Sequence, residues 1–272
     1  MIAALRSEVV KLATTRLWWV LALILIGYVG FTAALLAGLF GALGDQLSAQ
    51  PNAPQLPPET IAPVVYSTVT AVGYVFPLIL GTLAVTSEVR YQTLTPTFLA
   101  QPRRGRVLAA KLIVLGVTGA LFGVIGLVAS LGLGAPILAA TGTDARLADS
   151  DTWALAGRVV LAMALWAIIG VGVGSLIQNQ VAAIVSVLAF TQFVEPVLRF
   201  GTSIWDWTAA VGRFLPGAAS DALVGASIFT SFSGVGGTVR PLEWWQGGLV
   251  LLAVAAVVSV IGYVTAWRRD IT

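Results

Sequence analysis

The sequence predicts an all-α membrane protein that crosses the bilayer six times. Three observations carry this. First, 58% of its 272 residues are apolar and only 10% are charged, whereas a soluble domain carries about a quarter charged residues to cover its surface. Second, uncharged runs at 17–44, 60–87, 112–143, 159–194 and 244–267 reach the length of about 20 residues that a helix needs to cross the hydrocarbon layer. Third, the fourth run is long enough for two helices and is interrupted by Gln178-Asn179-Gln180, a polar break suited to a tight hairpin. The spans are expected at 17–43, 61–86, 111–140, 153–177, 181–199 and 246–267, in one transmembrane domain over 1–272.

Residues 1–16 precede the first span. Ile2, Leu5, Val9 and Leu12 recur at helical spacing, with Arg6, Glu8 and Lys11 on other faces. This pattern predicts an amphipathic helix lying in the membrane interface. The alternative is an extension of the first span. Neither is a cleaved signal peptide: the first apolar run is too long and ends without a small-residue cleavage pattern. The 44–60 connection is proline-rich (Pro51, Pro54, Pro57, Pro58) and reads as an ordinary outer loop. Residues 141–152 hold Asp144, Asp149 and Asp151 beside Arg146. Without ordered ligand spacing they read as a solvated loop rather than a calcium site. Residues 200–245 contain no apolar piece long enough to span. Arg213, Asp221 and Arg240 interrupt them, and glycines cluster at 234–237. Short outer re-entrant helices are expected there, with their backbone buried in protein.

The charge is unevenly placed. The N-terminal segment, the 87–111 loop and the tail hold Arg6, Lys11, Arg16, Arg90, Arg103, Arg104, Arg106, Lys111, Arg268 and Arg269, against Glu8, Glu88 and Asp270. The other side holds the remaining five basic residues and nine acids. Cytoplasmic loops attract Lys and Arg, so both termini and the 87–106 loop are expected in the cytoplasm. Tryptophans 18, 19, 153, 205, 207, 244, 245 and 267 fall near the expected interfaces, and only Trp166 is mid-span.

The 87–106 loop, SEVRYQTLTPTFLAQPRRGR, gathers charge between two uncharged runs. Thr95 can cap a short helix starting at Pro96, where a missing N–H is no loss. Pro102 ends it. Phe98 and Leu99 are then exposed, and Arg103, Arg104, Arg106 and Lys111 follow at the start of the third span. Those four cations can anchor that helix to lipid phosphates.

In this order and on these sides, the motifs resemble a permease of the ABC-2 family, the membrane subunit of type V ABC exporters, in its compact six-span bacterial form. Ser7-Glu8-Val9-Val10-Lys11-Leu12, Thr14-Thr15-Arg16 and Trp18-Trp19 are similar to the family's interfacial helix and the approach to its first span. Glu88, Arg90, Thr93, Pro96-Thr97-Phe98-Leu99, Pro102-Arg103-Arg104 and Lys111 resemble its coupling-helix region, which docks on the ATPase. Arg213-Phe214-Leu215-Pro216-Gly217-Ala218-Ala219 resembles part of its outer re-entrant helices. Two departures stand out: Gln92-Thr93 replaces the family's frequent Gly-Thr, and Gln178-Asn179-Gln180 lacks the basic residue often found in that hairpin.

The resemblance implies an ATPase-coupling set of Glu88, Arg90, Thr93, Pro96, Phe98, Leu99, Arg103 and Arg104. Glu88 is the leading member; a surface pairing with Arg90 or Arg103, or a helix cap, is the alternative. It also implies a substrate path lined by the second and fifth spans. Tyr66, Thr70 and Tyr74 share a face at i, i+4, i+8, and Phe190, Thr191, Gln192, Phe193 and Glu195 cluster on the fifth. The threonines and the glutamine can equally serve helix–helix hydrogen bonds. Glu195 and Arg199 have the i, i+4 spacing of a local ion pair. The implied partners are two copies of an ABC-type ATPase, a second permease copy or paralogue, and membrane lipid, in a bacterial plasma membrane; no nucleic acid is implied.

No G-x-x-x-x-G-K-[ST] occurs, and the only lysines are Lys11 and Lys111. The chain is therefore expected to be no enzyme, with ATP and Mg held by the partner ATPase. No histidine or cysteine is present, which excludes thiol chemistry and leaves Ser175 in Gly172-Val173-Gly174-Ser175 without a histidine base. No metal site or catalytic residue is expected. An ion-coupled secondary transporter would place acids or broken helices near the midplane. A non-transporting scaffold of the same fold is the other alternative. Gly119 with Gly123, and Gly170 with Gly174, have the spacing of close helix packing.

Overall fold

A computed structural model describes residues 1–48, 57–201, 206–227 and 242–267. All regular elements among them are helical, and six helical segments are long and apolar enough to cross a membrane. They cover Leu17–Ala42, Pro58–Arg90, Arg104–Ala140, Ser150–Leu176, Gln180–Arg199 and Trp244–Thr265. The chain is thus consistent with a multi-pass membrane protein. Residues 49–56 of the Pro-rich 44–60 loop, the glycine cluster at 234–237, Trp205, Arg240, Arg268, Arg269 and Asp270 lie outside the described residues.

The helices run in order as α1 (Ile2–Thr14), α2 (Leu17–Ser48), α3 (Pro58–Ala71), α4 (Val75–Arg90), α5 (Leu94–Ala100), α6 (Arg104–Ala140), α7 (Ser150–Leu176) and α8 (Gln180–Ala189). A π-helical turn over Phe190–Val194 leads into α9 (Glu195–Gly201). Two short helices follow, α10 (Asp206–Gly212) and α11 (Pro216–Val224), and then α12 (Trp244–Gly262), which ends in a second π turn over Tyr263–Trp267.

The second span is not one helix. It breaks over Val72-Gly73-Tyr74, between α3 and α4. Pro77 has no N–H to give to the carbonyl of Gly73 four residues back. That carbonyl accepts instead from Phe76 N–H at 3.1 Å, in a tighter turn. Tyr66 and Thr70 therefore lie on α3, while Tyr74 starts a separate helix.

The centre of the bundle is α4, α6 and α7, which meet through glycines. A Cβ on Gly119 would stand 2.6 Å from the Met163 carbonyl oxygen, and one on Gly123 would stand 2.9 Å from Val160 Cα. These residues bring α6 onto α7. Gly81, Gly170 and Gly174 do the same for α4 and α7, each facing the other helix's backbone. Both glycine pairs singled out by spacing are helix–helix contacts within the chain.

The hairpin at 178–180 is where the sequence puts it. The α7 helix ends at Leu176 and α8 begins at Gln180. The Asn179 side chain caps α8, its Oδ1 accepting from Val181 N at 3.0 Å and Ala182 N at 3.1 Å.

The end of α4 departs from expectation in a useful way. Gln92 has φ +53°, in the left-handed region. Its N–H donates to Val89 O at 3.2 Å, and Thr93 N–H donates to Glu88 O at 3.0 Å. This is a Schellman cap, whose left-handed position glycine normally fills. Gln92 stands in that position, where glycine would carry no Cβ penalty. Gln92→Gly is expected to stabilise the protein by up to about 1 kcal/mol, and Gln92→Val to destabilise it by more than that. Unfolding in mixed micelles reads both; a destabilising glycine would refute the account.

Candidate functional site

At one end of the bundle, charges from three helices converge. Glu8 on α1 is 4% exposed, Glu88 on α4 is 7% exposed and Lys111 on α6 is 1% exposed. Lys111 Nζ lies 2.6 Å from Glu8 Oε2 and 3.0 Å from Glu88 Oε1, and it donates to Ala84 O at 3.2 Å. Lys11 Nζ lies 2.8 Å from Glu8 Oε1 and 2.8 Å from Glu88 Oε1. Both lysines of the chain thus meet two glutamates, and their formal charges cancel. Such a knot ties α1 to α4 and α6.

The knot revises three expectations. The buried face of α1 runs through Leu5, Glu8 and Leu12, while Ile2, Val9 and Val10 are exposed. Glu8, paired with Lys111, therefore shares this face with Leu5 and Leu12 of the apolar stripe and does not lie on another one. Lys111 is buried among carboxylates, away from lipid phosphates. Glu88 pairs with Lys11 and Lys111, not with Arg90 or Arg103. Burial pushes the Glu8 carboxyl up, but the Lys111 charge and the hydrogen bonds from Lys11 and Lys111 outweigh it and hold the carboxyl below its ordinary value. Burial likewise pulls the Lys11 ammonium down, and hydrogen bonds to Glu8 and Glu88 then carry it above its ordinary value.

Around this knot, α5 projects from the end of α4. It starts at Leu94 with Thr93 as cap residue, so Pro96 is its third residue and not its first. Its N–H-less position is still among those a helix leaves unpaired. The helix stops at Ala100, two residues before Pro102. Phe98 is half-buried: its ring meets Trp267 edge-on at 5.6 Å, and the Arg104 guanidinium lies 5.1 Å from it. Arg104 also donates from Nη1 to Trp267 O at 2.9 Å. Leu99 is 80% exposed. Thr93, Pro96 and Arg103 are exposed as well. Arg90 donates from Nη1 to Gln180 Oε1 at 3.1 Å, tying α4 to the 178–180 hairpin.

In the other half of the bundle, a cavity of about 480 Å³ opens where the α3–α4 break faces the π turn of the fifth span. Thr70, Tyr74, Thr191, Gln192 and Glu195 all line it. Tyr66 does not: its hydroxyl donates to Ala145 O at 2.7 Å, in the 141–149 connection. Phe193 is 71% exposed, and neither it nor Phe190 lines the cavity. A π turn inserts an extra residue into the helical register, which separates the two phenylalanines from the polar set beside them.

Glu195 is 2% exposed. Its Oε1 accepts from Gly217 N–H in the first turn of α11, a favourable place for a carboxylate. Arg199 Nε lies 3.5 Å from the same oxygen, and Arg199 Nη1 lies 2.9 Å from Asp221 Oδ2. Ser227 Oγ also donates to that Asp221 oxygen, at 2.6 Å. Thus the local Glu195–Arg199 pair forms but extends into a triad with Asp221. Glu195 Oε2 is buried and has no hydrogen-bond partner among the described residues.

Sequence reasoning missed Trp166, Gly217, Ser220 and Asp221 as cavity residues. Trp166 packs on Tyr74 with ring centroids 4.5 Å apart, and its Nε1 donates to Ser220 Oγ at 3.1 Å. A mid-span tryptophan whose N–H needs a buried partner was the available signal.

No protein-family model matches this chain, and neither does any curated protein.

Proposed function

We propose that this chain is the membrane-spanning permease subunit of an ATP-driven exporter of the ABC-2 type. It works in a bacterial plasma membrane with both termini in the cytoplasm. The observation that carries the reading is the position of α4. One end of this helix holds Glu88 in the charged knot and is joined to α5 by the tight Tyr91-Gln92-Thr93 turn. The other end begins at Tyr74, on the wall of the cavity. Sixteen residues of helix make a strut of roughly 24 Å at 1.5 Å per residue. A push on α5 by a partner therefore reaches the cavity through one capped turn and a single helix.

In this reading α5 is the coupling helix, α1 the interfacial helix, and α10 and α11 belong to the outer re-entrant region. ATP and Mg belong to two copies of a partner ATPase, and a second permease completes the pathway. Closure of the ATPases displaces α5. The knot makes α1, α4 and α6 move together, and the cavity alternates between facing in and facing out. Its apolar walls and few polar groups suit an apolar or amphipathic substrate such as a drug, a peptide or a lipid.

A second reading has its own support. A discontinuous span beside a buried carboxylate is the arrangement of ion-coupled secondary transporters, and the α3–α4 break beside Glu195 has that form.

Co-purification separates the two. The tagged chain, extracted in mild detergent from its native host, is expected to bring down an ABC ATPase. Leu99→Asp should reduce the recovered ATPase at least tenfold, because it places a charge on the most exposed apolar side chain of α5. Phe98→Ala should weaken recovery and ATP hydrolysis together. If no ATPase is recovered in several detergents, the exporter reading fails and the ion-coupled one takes its place.

A further inference from the structure

We infer that the cavity between the α3–α4 break and the π turn is a binding site for an organic monocation with an apolar body, its cationic head held by Glu195. This deepens the transporter reading and rests on it for the direction of movement, though not for the binding itself.

Charge is the first argument. Among the described residues, two carboxylates, Glu195 and Asp221, and one guanidinium, Arg199, line the cavity, a formal balance of −1. The two acids are not equivalent. Asp221 Oδ2 is occupied by Arg199 and Ser227. Glu195 uses Oε1 for Gly217 N–H and Arg199, and the Ala218 N–H also faces the carboxylate. Its Oε2 is buried without a partner among the described residues. A buried carboxylate oxygen left unpaired is costly, and a ligand cation is what relieves it.

The walls are the second argument. Tyr74 and Trp166, their rings tilted by 40° with centroids 4.5 Å apart, line the cavity together with Glu195, and aromatic faces attract cations. Tyr28, Val75, Phe76 and Leu188 supply the apolar remainder. A volume of about 480 Å³ lies within the range of small-molecule sites. It is far larger than a bare metal ion or a proton requires. A ligand anion is disfavoured by the −1 balance.

The shape of the fold explains why such a carboxylate is tolerated. Gly217 leaves room for it, since a Cβ there would strike Glu195 and stand 3.0 Å from Arg199 Nη2. Glutamate, glycine and arginine are thus fitted to one another, and the free oxygen is left over.

The test uses the purified full chain in detergent, with no ATPase. Tritiated tetraphenylphosphonium is the probe, read by scintillation proximity. Tetraphenylborate, of the same shape and opposite charge, is the competitor. The native chain is expected to bind the cation saturably, and tetraphenylborate is expected not to displace it. Glu195→Gln keeps an acceptor for Gly217 N–H and removes the charge, so it should raise the Kd at least tenfold. Gln192→Lys tethers an ammonium three residues before Glu195 and should abolish binding while leaving Glu195 in place. That variant keeps the test decisive if Glu195→Gln proves unstable. Unchanged affinity in both variants would overturn the proposal. So would equal competition by tetraphenylborate, which would mean that shape alone is recognised. Full displacement by sodium or by mild acid, with no loss in Gln192→Lys, would assign Glu195 to an inorganic ion or proton instead. Cation binding without a co-purifying ATPase would leave this site standing and remove the exporter reading. An ATPase partner without cation binding would do the reverse.

Discussion

Lys111→Met is expected to cost roughly 3–5 kcal/mol, because it leaves buried carboxylates without their counter-charge. Glu8 and Glu88 would share only Lys11, giving the knot a net charge of −1 where the side chains of Glu8 and Glu88 are 4% and 8% exposed. The isosteric methionine keeps the volume, so cavity formation does not account for the loss. Arg103→Met is the control: Arg103 is exposed at the same end of the bundle and should change stability by no more than about 0.5 kcal/mol. Glu8→Gln added to Lys111→Met should recover part of the loss, since it restores neutrality, and this non-additivity is the signature of direct pairing. The pH dependence follows from the same groups. The folded Glu8 carboxyl titrates below its ordinary value of 4.5, so its stabilisation is complete above that value and is lost as pH falls through the lower folded one. Folded Lys11 titrates above its ordinary 10.5, so its contribution is complete below that value and is lost as pH rises through the higher one. Docking of α1 should therefore hold on a plateau between these limits and weaken at both ends. The mobility of a nitroxide label on Val9→Cys, in a chain with no other cysteine and at an exposed position of α1, followed against pH, reads the docking. A flat profile, or a Lys111→Met variant as stable as Arg103→Met, would sink the pairing account.

What the sequence made legible was whatever depends on uninterrupted apolar length. The six spans lie within a few residues of expectation at most ends, and the 178–180 hairpin is in place, because hydropathy and a polar break are local signals. The knot was not legible. Glu8, Lys11, Glu88 and Lys111 are spread over three helices, and no periodicity along one helix predicts a contact between them. Their burial also inverts the usual reading of charge as a solvated face. Part of the cavity was foreseen. Thr70, Tyr74, Thr191, Gln192 and Glu195 fall together because polar groups on apolar spans seek each other or water. Tyr66 was misplaced because its i, i+8 relation to Tyr74 assumes one continuous helix. Gly73 and Pro77 carried the contrary signal, a flexible residue with its carbonyl unpaired by a proline four positions on. Pro196 stands in the same relation to Gln192 within the π turn. Reading prolines four residues ahead would have located both irregularities that frame the cavity.

Gly170→Val is the substitution expected to damage α4 most. A Cβ at Gly170 falls on the carbonyl oxygen of Leu78, and one at Gly174 would stand 2.5 Å from the carbonyl oxygen of Thr82. These neighbours are backbone and cannot rotate aside. The contact is also reciprocal, since Thr82 Oγ1 donates to Gly170 O at 3.1 Å and Gly81 faces Ala167 O. Valine can be accommodated only by moving α4 off α7, which breaks that hydrogen bond and opens the seam along its length. Overpacking of this kind costs about 3 kcal/mol and can exceed it. Gly157→Val is the matched comparison, because Gly157 is on the same helix and a Cβ there meets nothing within 4 Å. It should be neutral or slightly stabilising, as valine replaces the poorer helix former. Unfolding by dodecyl sulfate in mixed micelles compares the two. The functional consequence is separable from the loss of stability. If α4 is a strut, a variant that still folds at low temperature should retain its ATPase partner, since α5 is untouched, yet should lose coupling of ATP hydrolysis to binding at the cavity, since Tyr74 has shifted. Retained coupling in a Gly170→Val protein with a displaced α4 would mean that force reaches the cavity by another helix, and α6, which shares the knot through Lys111, would be the one to examine.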